Sequence, residues 1–415
     1  MEPQIRKGKN LIESLIWILT VALLSSFSIF YAETFGRYIL IGVTFLMILL
    51  SAADNDGKIY LHFGMFQLMT GLFAAFVFFS AVWAWDSSDA IGMGSTIVQI
   101  IICMTVFYSY FLRKGDLDSL ISAVMWAGYV VAFYITFTMG FSEILAGIDS
   151  GNRLDSEVDN INTLGMLSAT SVVITIYYLV FKKSRNILAI ISAVFGVVMT
   201  AASGSRKALV MLILGALLVF LFKYVSNDIF MSIIKIAVFA VVAFFVIRWL
   251  LSLPIFSVVE ERMQTMINSF LDNGGKVDHS TWIREQYQII GINQFKETPI
   301  LGIGIGNSHF LTSRYFGKDT YLHNNFVELL SCGGIIGFTI YYSIYLYCFV
   351  KLFKVRNSSP CVKMLLILMI LLLIMDYGMV SYYSKAQYFY FMMFFIAAKV
   401  YDKKEENTNE PEKAS

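Results

Sequence analysis

The sequence predicts an all-α, polytopic membrane protein with about twelve transmembrane helices, and three observations support this fold class. Hydrophobic residues make up 58% of the chain, charged residues make up 14%, and the mean hydropathy is +0.69. These values lie far outside the range of soluble domains. Apolar runs of about 20 residues, long enough for a helix to cross a bilayer, recur along the chain. Polar loops separate these runs.

Each apolar run is predicted to be one span. The first run follows Arg6, Lys7 and Lys9, but it is longer than the apolar core of a signal peptide and lacks a convincing cleavage site. A window of about 20 apolar residues gives the full set of predicted spans. They are 11–31, 38–53, 61–85, 91–112, 120–140, 162–181, 187–203, 208–222, 229–253, 330–350, 364–380 and 384–400.

The longest polar segment, residues 254–322, falls between spans nine and ten of this series. Residues 1–401 are therefore predicted to form one membrane-embedded domain. Residues 402–415 are charged and almost free of apolar side chains, which predicts a disordered tail.

Lys and Arg residues are distributed unequally between the loops on the two sides. Most lie on the side of the N-terminus, whereas the short loops opposite contain Arg37, Arg153, Arg206, Lys207 and Lys385. The positive-inside rule then predicts that both termini are cytoplasmic and that the large loop faces outward.

Composition and spacing also exclude several classes of function. The net charge is only +2, and the basic residues are scattered between apolar runs rather than grouped in a patch, which argues against nucleic-acid binding. The four cysteines lie in or beside apolar stretches without CxxC spacing, and HExxH is absent. We therefore predict neither a metal site nor a disulfide framework.

Two arginines are candidates for binding an anionic substrate at the outer face. Arg206 follows a tight polar hairpin, and the simpler interpretation is an arginine whose guanidinium reaches the lipid headgroups. Arg284 lies in a predicted amphipathic helix in which Trp282, Tyr287 and Ile290 are spaced along one side. An exposed arginine paired with Glu285 or with solvent explains this position equally well from composition.

His323 is the candidate general base, because histidine titrates near neutrality and this one directly precedes Asn324 at the predicted start of a span. A histidine that only caps the helix or bonds the loop is the alternative. Gly304 and Gly306 allow a close backbone approach to a ligand, although a packed turn is the default interpretation of GxGxG. The polar loop containing Arg153 and Asn160 suits sugar hydroxyls or a solvated connector.

A family resemblance follows from these motifs in their order. The motifs are Ser203-Gly-Ser-Arg-Lys207, a loop with Arg284, Pro299-Ile-Leu-Gly-Ile-Gly-Ile-Gly-Asn-Ser308 and His323-Asn-Asn-Phe-Val-Glu-Leu-Leu-Ser-Cys-Gly-Gly-Ile-Ile-Gly337. Together with about twelve spans and a large outer loop before the last three, they resemble the O-antigen ligase and polysaccharide polymerase superfamily of bacterial inner-membrane glycosyltransferases. The segment 151–165 resembles that family's segment before its sixth span.

The resemblance implies a GT-C-like helical bundle, located in the bacterial cytoplasmic membrane, that uses an undecaprenyl-pyrophosphate-linked oligosaccharide as donor and a glycan as acceptor without a metal or cofactor. It implies that Arg206 and Arg284 bind the donor pyrophosphate and that His323 activates the acceptor hydroxyl. Further candidates for substrate contact are Arg153, Asn160, Gly304, Gly306, Asn324 and Glu328.

Three functions stay open at this point. A polymerase would join lipid-linked repeat units, and a ligase would attach the finished glycan to a lipid, wall or protein acceptor. We favour the polymerase because the sequence contains no dedicated acceptor domain. A transporter or flippase of lipid-linked glycans would share the topology, but it would be expected to place its charges near the middle of the membrane.

Overall fold

The computed structural model describes residues 10–29, 33–142, 144, 161–224, 245 and 279–409. The regular elements of these residues are all helices. In chain order they are α1 (Leu11–Ile29), α2 (Glu33–Ala53), α3 (Met65–Ser80), α4 (Ser87–Lys114), α5 (Leu117–Met139), α6 (Ile161–Phe181), α7 (Ile187–Ala202), α8 (Arg206–Tyr224), α9 (His279–Glu297), α10 (Ser308–Phe316), α11 (Asn325–Lys354), α12 (Pro360–Met375) and α13 (Lys385–Asn409).

The prediction of an all-helical membrane protein is confirmed. Within the described ranges, seven helices are long and apolar enough to cross a membrane, namely α1, α2, α4, α5, α6, α8 and α11. Three more apolar helices, α3, α7 and α12, are shorter. The count of about twelve spans, the placement of the large loop and the division into domains stay predictions. Most of the predicted span 229–253 lies outside the described residues.

Side-chain caps explain where several helices begin. The residue before each of these helices accepts a hydrogen bond from a backbone N–H of the first turn, which satisfies a donor that the helix itself cannot. The capping residues are Asp86 for α4, Asp116 for α5, Asn186 for α7, Asn324 for α11 and Ser359 for α12.

The apolar core extends through most of the described helices, and α12 lies within it. Residues 364–369 of α12 are all buried, and the helix is apolar on every side. A helix without a polar face is stable only when neighbouring helices or lipid surround it.

The loops that join the described helices gather in two groups, at opposite ends of the bundle, where hydrogen bonds and ion pairs connect them. One end is rich in Lys and Arg: Arg113 pairs with Asp54 at 2.8 Å, and Lys351 pairs with Asp402 at 2.8 Å. We call this the basic end. It comprises the loops 54–64, 115–116, 182–186 and 355–359. Its composition supports the predicted cytoplasmic orientation of this side.

The opposite end, which we call the site end, comprises residues 81–86, 203–205, 298–324 and 376–384. A break in α11 shapes it. Gly334 has φ +59°, and around this break the backbone of α11 bonds the glycine-rich segment instead. The N–H of Gly304 donates to the carbonyl of Cys332 at 2.9 Å, and that of Ile335 donates to the carbonyl of Pro299 at 2.9 Å. The break thus frees backbone groups of α11 to form hydrogen bonds with the glycine-rich turn, and these bonds hold the turn in place.

The last helix extends past residue 402, where the tail is predicted to begin, and the disorder of the tail stays a prediction. In the structure α13 continues to Asn409. Lys and Glu make up half of residues 402–409, and both are good helix formers. In addition, Asp402 accepts hydrogen bonds from Lys351 and Lys354 of α11, which anchors the first of these residues.

Candidate functional site

His323 lies at the site end, immediately before the cap of α11, in an unusual backbone conformation. Its φ is +57°, in the left-handed region that non-glycine residues rarely adopt. The imidazole stacks on the ring of Tyr287 with 6.0 Å between centroids and 10° between planes. Tyr321 lies against it with 4.2 Å between centroids. Strained backbone at a side chain held between two rings is typical of functional positions.

The residues on either side of His323 are fixed by hydrogen bonds. After it, the side chain of Asn324 accepts from the N–H groups of Phe326 at 3.0 Å and Val327 at 3.2 Å. Asn324 is buried and begins α11. Its side-chain oxygen is therefore committed to the helix cap, which sets the direction in which His323 leaves the helix.

Glu328 fixes the residues before His323. It is only 2% exposed, and its carboxylate accepts from the N–H of Leu322 at 2.8 Å and from the hydroxyl of Ser308. These bonds tie the start of α10 and the residue before His323 to the first turn of α11. In this structure the carboxylate of Glu328 accepts hydrogen bonds from the loop. Contact of Glu328 with substrate stays a prediction.

A second polar cluster joins α11 to the loop that follows α12. The N–H of Asn325 donates to the carbonyl of Asp376 at 2.8 Å. The Asp376 carboxylate accepts from the hydroxyls of Ser381 at 2.6 Å and Tyr342 at 3.1 Å. Asp376 directly follows the apolar helix α12, a position where a charged side chain needs partners, and these groups provide them.

Two cations lie near the imidazole. Burial is the main cause that lowers the pKa of His323 from 6.5 to about 3, and the positive charges of Arg284 and Lys207 lower it further. His323 is therefore neutral at physiological pH, so one ring nitrogen has a free lone pair. Such a nitrogen can accept a proton or a hydrogen bond.

Lys207 is the residue of this group that the sequence argument does not assign. It is half-buried in the first turn of α8, and its ammonium donates to the carbonyl of Gly378 in the loop after α12. The motif that ends in Lys207 is visible in the sequence. Because Lys207 and His323 are far apart in the sequence, the motif does not indicate that the two residues are close in the fold.

Arg284 is half-buried on α9, and α9 packs on α11. The contact involves a small apolar cluster of Tyr287, Leu322 and Val327. Trp282, in contrast, is 43% exposed, so it does not share the buried face of Tyr287. The predicted amphipathic helix is present, and the assignment of Trp282 and Tyr287 to one common face is wrong because the two side chains point to different surroundings.

Arg206 is the first residue of α8, next to Lys207, and its side chain is half-buried. This places it at the site end, on the same helix turn as Lys207. Its binding of pyrophosphate stays a prediction, as does the alternative of an arginine that reaches the headgroups.

The glycines of the 299–308 segment are packed against protein. Gly304 has φ +97°, and a Cβ atom there would lie 2.3 Å from the Cβ of Ala84. Gly306 lies beside Asp89, where a Cβ would meet atoms at 3.4 Å and beyond. The side chain of Asn307 accepts from the N–H of Asp86 at 2.6 Å, which binds the same turn to the start of α4. These contacts support the turn interpretation, and contact of the two glycines with substrate stays untested.

Of the predicted polar loop and of two tryptophans at the site end, the structure describes only the tryptophans. Arg153 and Asn160 lie outside the described residues. The indole N–H of Trp83 donates to the carbonyl of Leu301 at 3.1 Å, whereas Trp85 is largely exposed and lies edge-on to Phe310. Trp85 can therefore offer a ring face to a sugar.

Within the described part of the chain, no group of three or more His, Cys, Asp or Glu side chains is arranged to hold a metal ion. His309 lies between two carboxylates, with 2.8 Å to Asp89 and 2.9 Å to Asp319. These contacts join α10 to α4, and they place His309 in the scaffold of the site end.

Residues 191–342 match the model of the O-antigen ligase family. The matched segment begins in α7, ends in α11 and includes Arg206, Lys207, Arg284 and His323. The match confirms the resemblance deduced from the motifs, and the family suggests an activity of the ligase or polymerase type, in keeping with the apolar helices of an integral membrane protein. No curated protein matches the chain.

Proposed function

We propose that this protein transfers a glycan from an undecaprenyl-pyrophosphate donor to an acceptor hydroxyl at the outer face of the bacterial cytoplasmic membrane. The observation that carries the proposal is the position of a neutral, partly buried His323 beside Arg284 and Lys207 at one end of a membrane bundle. A base and two cations are the groups that this transfer needs.

His323 takes the role of general base. Its free ring nitrogen accepts the proton of the acceptor hydroxyl while the hydroxyl oxygen forms a new bond to the anomeric carbon of the donor. The bond from that carbon to the pyrophosphate breaks, and its electron pair stays with the leaving oxygen. Attack from the side opposite the leaving group would invert the anomeric configuration.

Arg284 and Lys207 bind the pyrophosphate and stabilise the charge that develops on it, and Arg206 is placed to help from the same turn of α8. Guanidinium groups offer planar, paired donors to phosphate oxygens, and an ammonium adds a compact charge. In a partly buried site these interactions are stronger than in water, and they need no metal ion.

The low pKa of His323 suggests an order of events. With the cations uncompensated, His323 is a weak base. A bound pyrophosphate neutralises the neighbouring charges and raises the pKa of the imidazole, because an adjacent anion favours the protonated form. The base therefore becomes competent when the donor is in place.

Polymerisation of surface-polysaccharide repeat units is the reaction we favour, with attachment of a finished glycan to another acceptor as the alternative. Deletion of the gene distinguishes them. A polymerase mutant would carry single repeat units on its surface, whereas a ligase mutant would accumulate long lipid-linked chains.

Transport of a lipid-linked glycan is disfavoured by the position of the charges. Among the described residues, Lys207, Arg284 and His323 gather at the site end, whereas a transporter is expected to bind its substrate near the bilayer midplane.

The proposal is tested by glycan transfer from a lipid-pyrophosphate oligosaccharide with purified protein. We expect His323→Gln and Arg284→Gln each to lower turnover by about 100-fold or more, the usual range for a base or a charge-stabilising donor. Arg314→Gln is the matched control, because Arg314 is an exposed arginine of α10 in the same region. Wild-type turnover in both site variants, with Arg314→Gln unchanged, would refute the proposal.

A further inference from the structure

A cavity of about 540 Å³ opens at the basic end of the bundle. Residues of α3, α4, α11 and α13 form its walls. At 1.5 Å per residue, Lys351 in this cavity is roughly 40 Å along α11 from His323. The cavity therefore lies at the other end of the bundle from the transfer site.

One part of the cavity is apolar and continuous with the outer surface of the helices. Met65 and Leu68 of α3 line it and are 40% and 63% exposed, and Tyr347 and Phe395 close it from α11 and α13. Phe63, just before α3, is also largely exposed. In a membrane such a surface is covered by lipid chains.

The other part of the cavity is polar and mainly cationic. Its charged lining residues are Lys351, Lys399 and Asp402. Asp402 accepts from Lys351 at 2.8 Å, but it also accepts from Lys354 at 3.1 Å, so its single negative charge is shared. The carboxylate of Asp402 thus joins two lysines of α11 at this wall of the cavity.

His62 and Tyr108 complete the polar wall. The ammonium of Lys399 contacts Nε2 of His62, an interaction that leaves the charge of the lysine in place. A Cβ atom on Gly64 would lie 3.5 Å from that same Nε2 and 3.6 Å from the hydroxyl of Tyr108. Gly64 thus lies in contact distance of both groups and lines the cavity beside them.

Hydrogen bonds hold the residues of this wall in place. The N–H of His62 donates to Ser109 at 2.8 Å, and Gln67 donates to the carbonyl of His62 at 3.3 Å while it accepts from the N–H of Gly64 at 2.8 Å. Met65 begins α3 directly after Gly64, so the positive end of that helix adds to the potential at the wall.

We propose that this cavity binds the phosphate headgroup of an anionic membrane lipid. Lys351, Lys399 and Tyr108 donate to the phosphate oxygens, and the acyl chains lie along Met65 and Leu68. An amphiphile matches a cavity with one cationic and one apolar part. Basic residues at a cytoplasmic membrane surface attract anionic lipids, which agrees with the predicted orientation of this end.

The test measures lipid binding by the purified full-length protein, with native mass spectrometry and melting temperature as readouts. Phosphatidylglycerol is compared with phosphatidylcholine of the same acyl chains. We expect phosphatidylglycerol to bind more tightly, and Lys351→Gln or Lys399→Gln to weaken it about 10-fold, a loss of about 1.4 kcal/mol.

Lys354→Gln is the matched control, because Lys354 contacts the same Asp402 but does not line the cavity. We expect it to bind phosphatidylglycerol as the wild type does, and Lys399→Arg to keep most of the binding. The melting temperature without lipid shows whether each variant is folded. Equal binding of the two lipids, or equal losses in all three glutamine variants, would overturn the proposal.

Inorganic phosphate alone forms the second arm. A lipid site predicts that phosphate at millimolar concentration neither raises the melting temperature nor displaces phosphatidylglycerol. If phosphate alone reproduced the full stabilisation and phosphatidylglycerol added nothing, the site would bind free phosphate, and the lipid proposal would be wrong.

Discussion

The coupling between pyrophosphate binding and the basicity of His323 gives a prediction that can be measured directly. Arg284→Gln removes one of the two cations that lower the pKa of this imidazole. A charge within about 4–6 Å shifts a pKa by 1–3 units, and burial contributes more here than the cations, so we expect a rise of about 1 unit from about 3. The pKa should stay below its unperturbed value of 6.5, because the burial persists.

Nuclear magnetic resonance of histidine-labelled protein in nanodiscs can follow this pKa, since the chain contains only four histidines. His323→Gln assigns the signal. In the wild type, the ring of His323 should stay neutral down to about pH 4, and added pyrophosphate should raise its pKa by about 1–2 units as it compensates the cations. In Arg284→Gln the free value should be higher and the response to pyrophosphate smaller.

The reasoning would be refuted if the pKa of His323 were near 6.5 and changed neither on addition of pyrophosphate nor in Arg284→Gln. Arg314→Gln serves as the control for general effects of charge, because the exposed Arg314 should leave the signal of His323 unchanged.

Three further predictions concern stability and positioning. Gly304→Ala should lower the melting temperature strongly, because the added Cβ would clash with Ala84. Gly57 also has a positive φ but has no atoms within 4 Å of an added Cβ, so Gly57→Ala should lower the free energy of unfolding by only about 1 kcal/mol. Similar losses in the two variants, measured by thermal unfolding, would contradict the packing argument. Glu328→Ala leaves the N–H of Leu322 without its side-chain acceptor, so we expect a loss of about 1–3 kcal/mol in stability and slower transfer, and unchanged values of both would refute the positioning role of Glu328. Because the pKa of His323 is lower in the folded state, unfolding takes up a proton between pH 6.5 and about 3. The free energy of unfolding should therefore decrease as the pH is lowered through that window, and it should decrease less in His323→Gln. Equal pH dependence in the two proteins would contradict the shift.

The sequence predicts the helical membrane class because hydropathy and span length are local properties. Motif order was enough to place Arg284 and His323 as candidates, and the structure brings them near each other. Lys207 was missed because its proximity to His323 depends on how α8 packs, which no local pattern encodes. Trp282 is a different case, because a separation of five residues places it about 140° around the helix from Tyr287, and the structure accordingly shows one side chain exposed and the other buried.

Polar contacts between distant segments were also beyond sequence reasoning. Asp376 could be recognised as a costly charge, but its bonds to Ser381 and Tyr342 depend on the loop after α12. Glu328 appeared as one residue of a motif, and only the fold shows that it anchors Leu322 and Ser308. The end of α13 at Asn409 also lies beyond what hydropathy indicates, because the charged residues after 401 favour both solvation and helix.

Single-turnover transfer at saturating donor is the measurement that tests the central claim most directly, since it separates chemistry from binding. His323→Gln should bind the lipid-pyrophosphate donor about as tightly as the wild type and transfer its glycan at least about 100-fold more slowly. A wild-type rate in His323→Gln at saturation would contradict the assignment of the base.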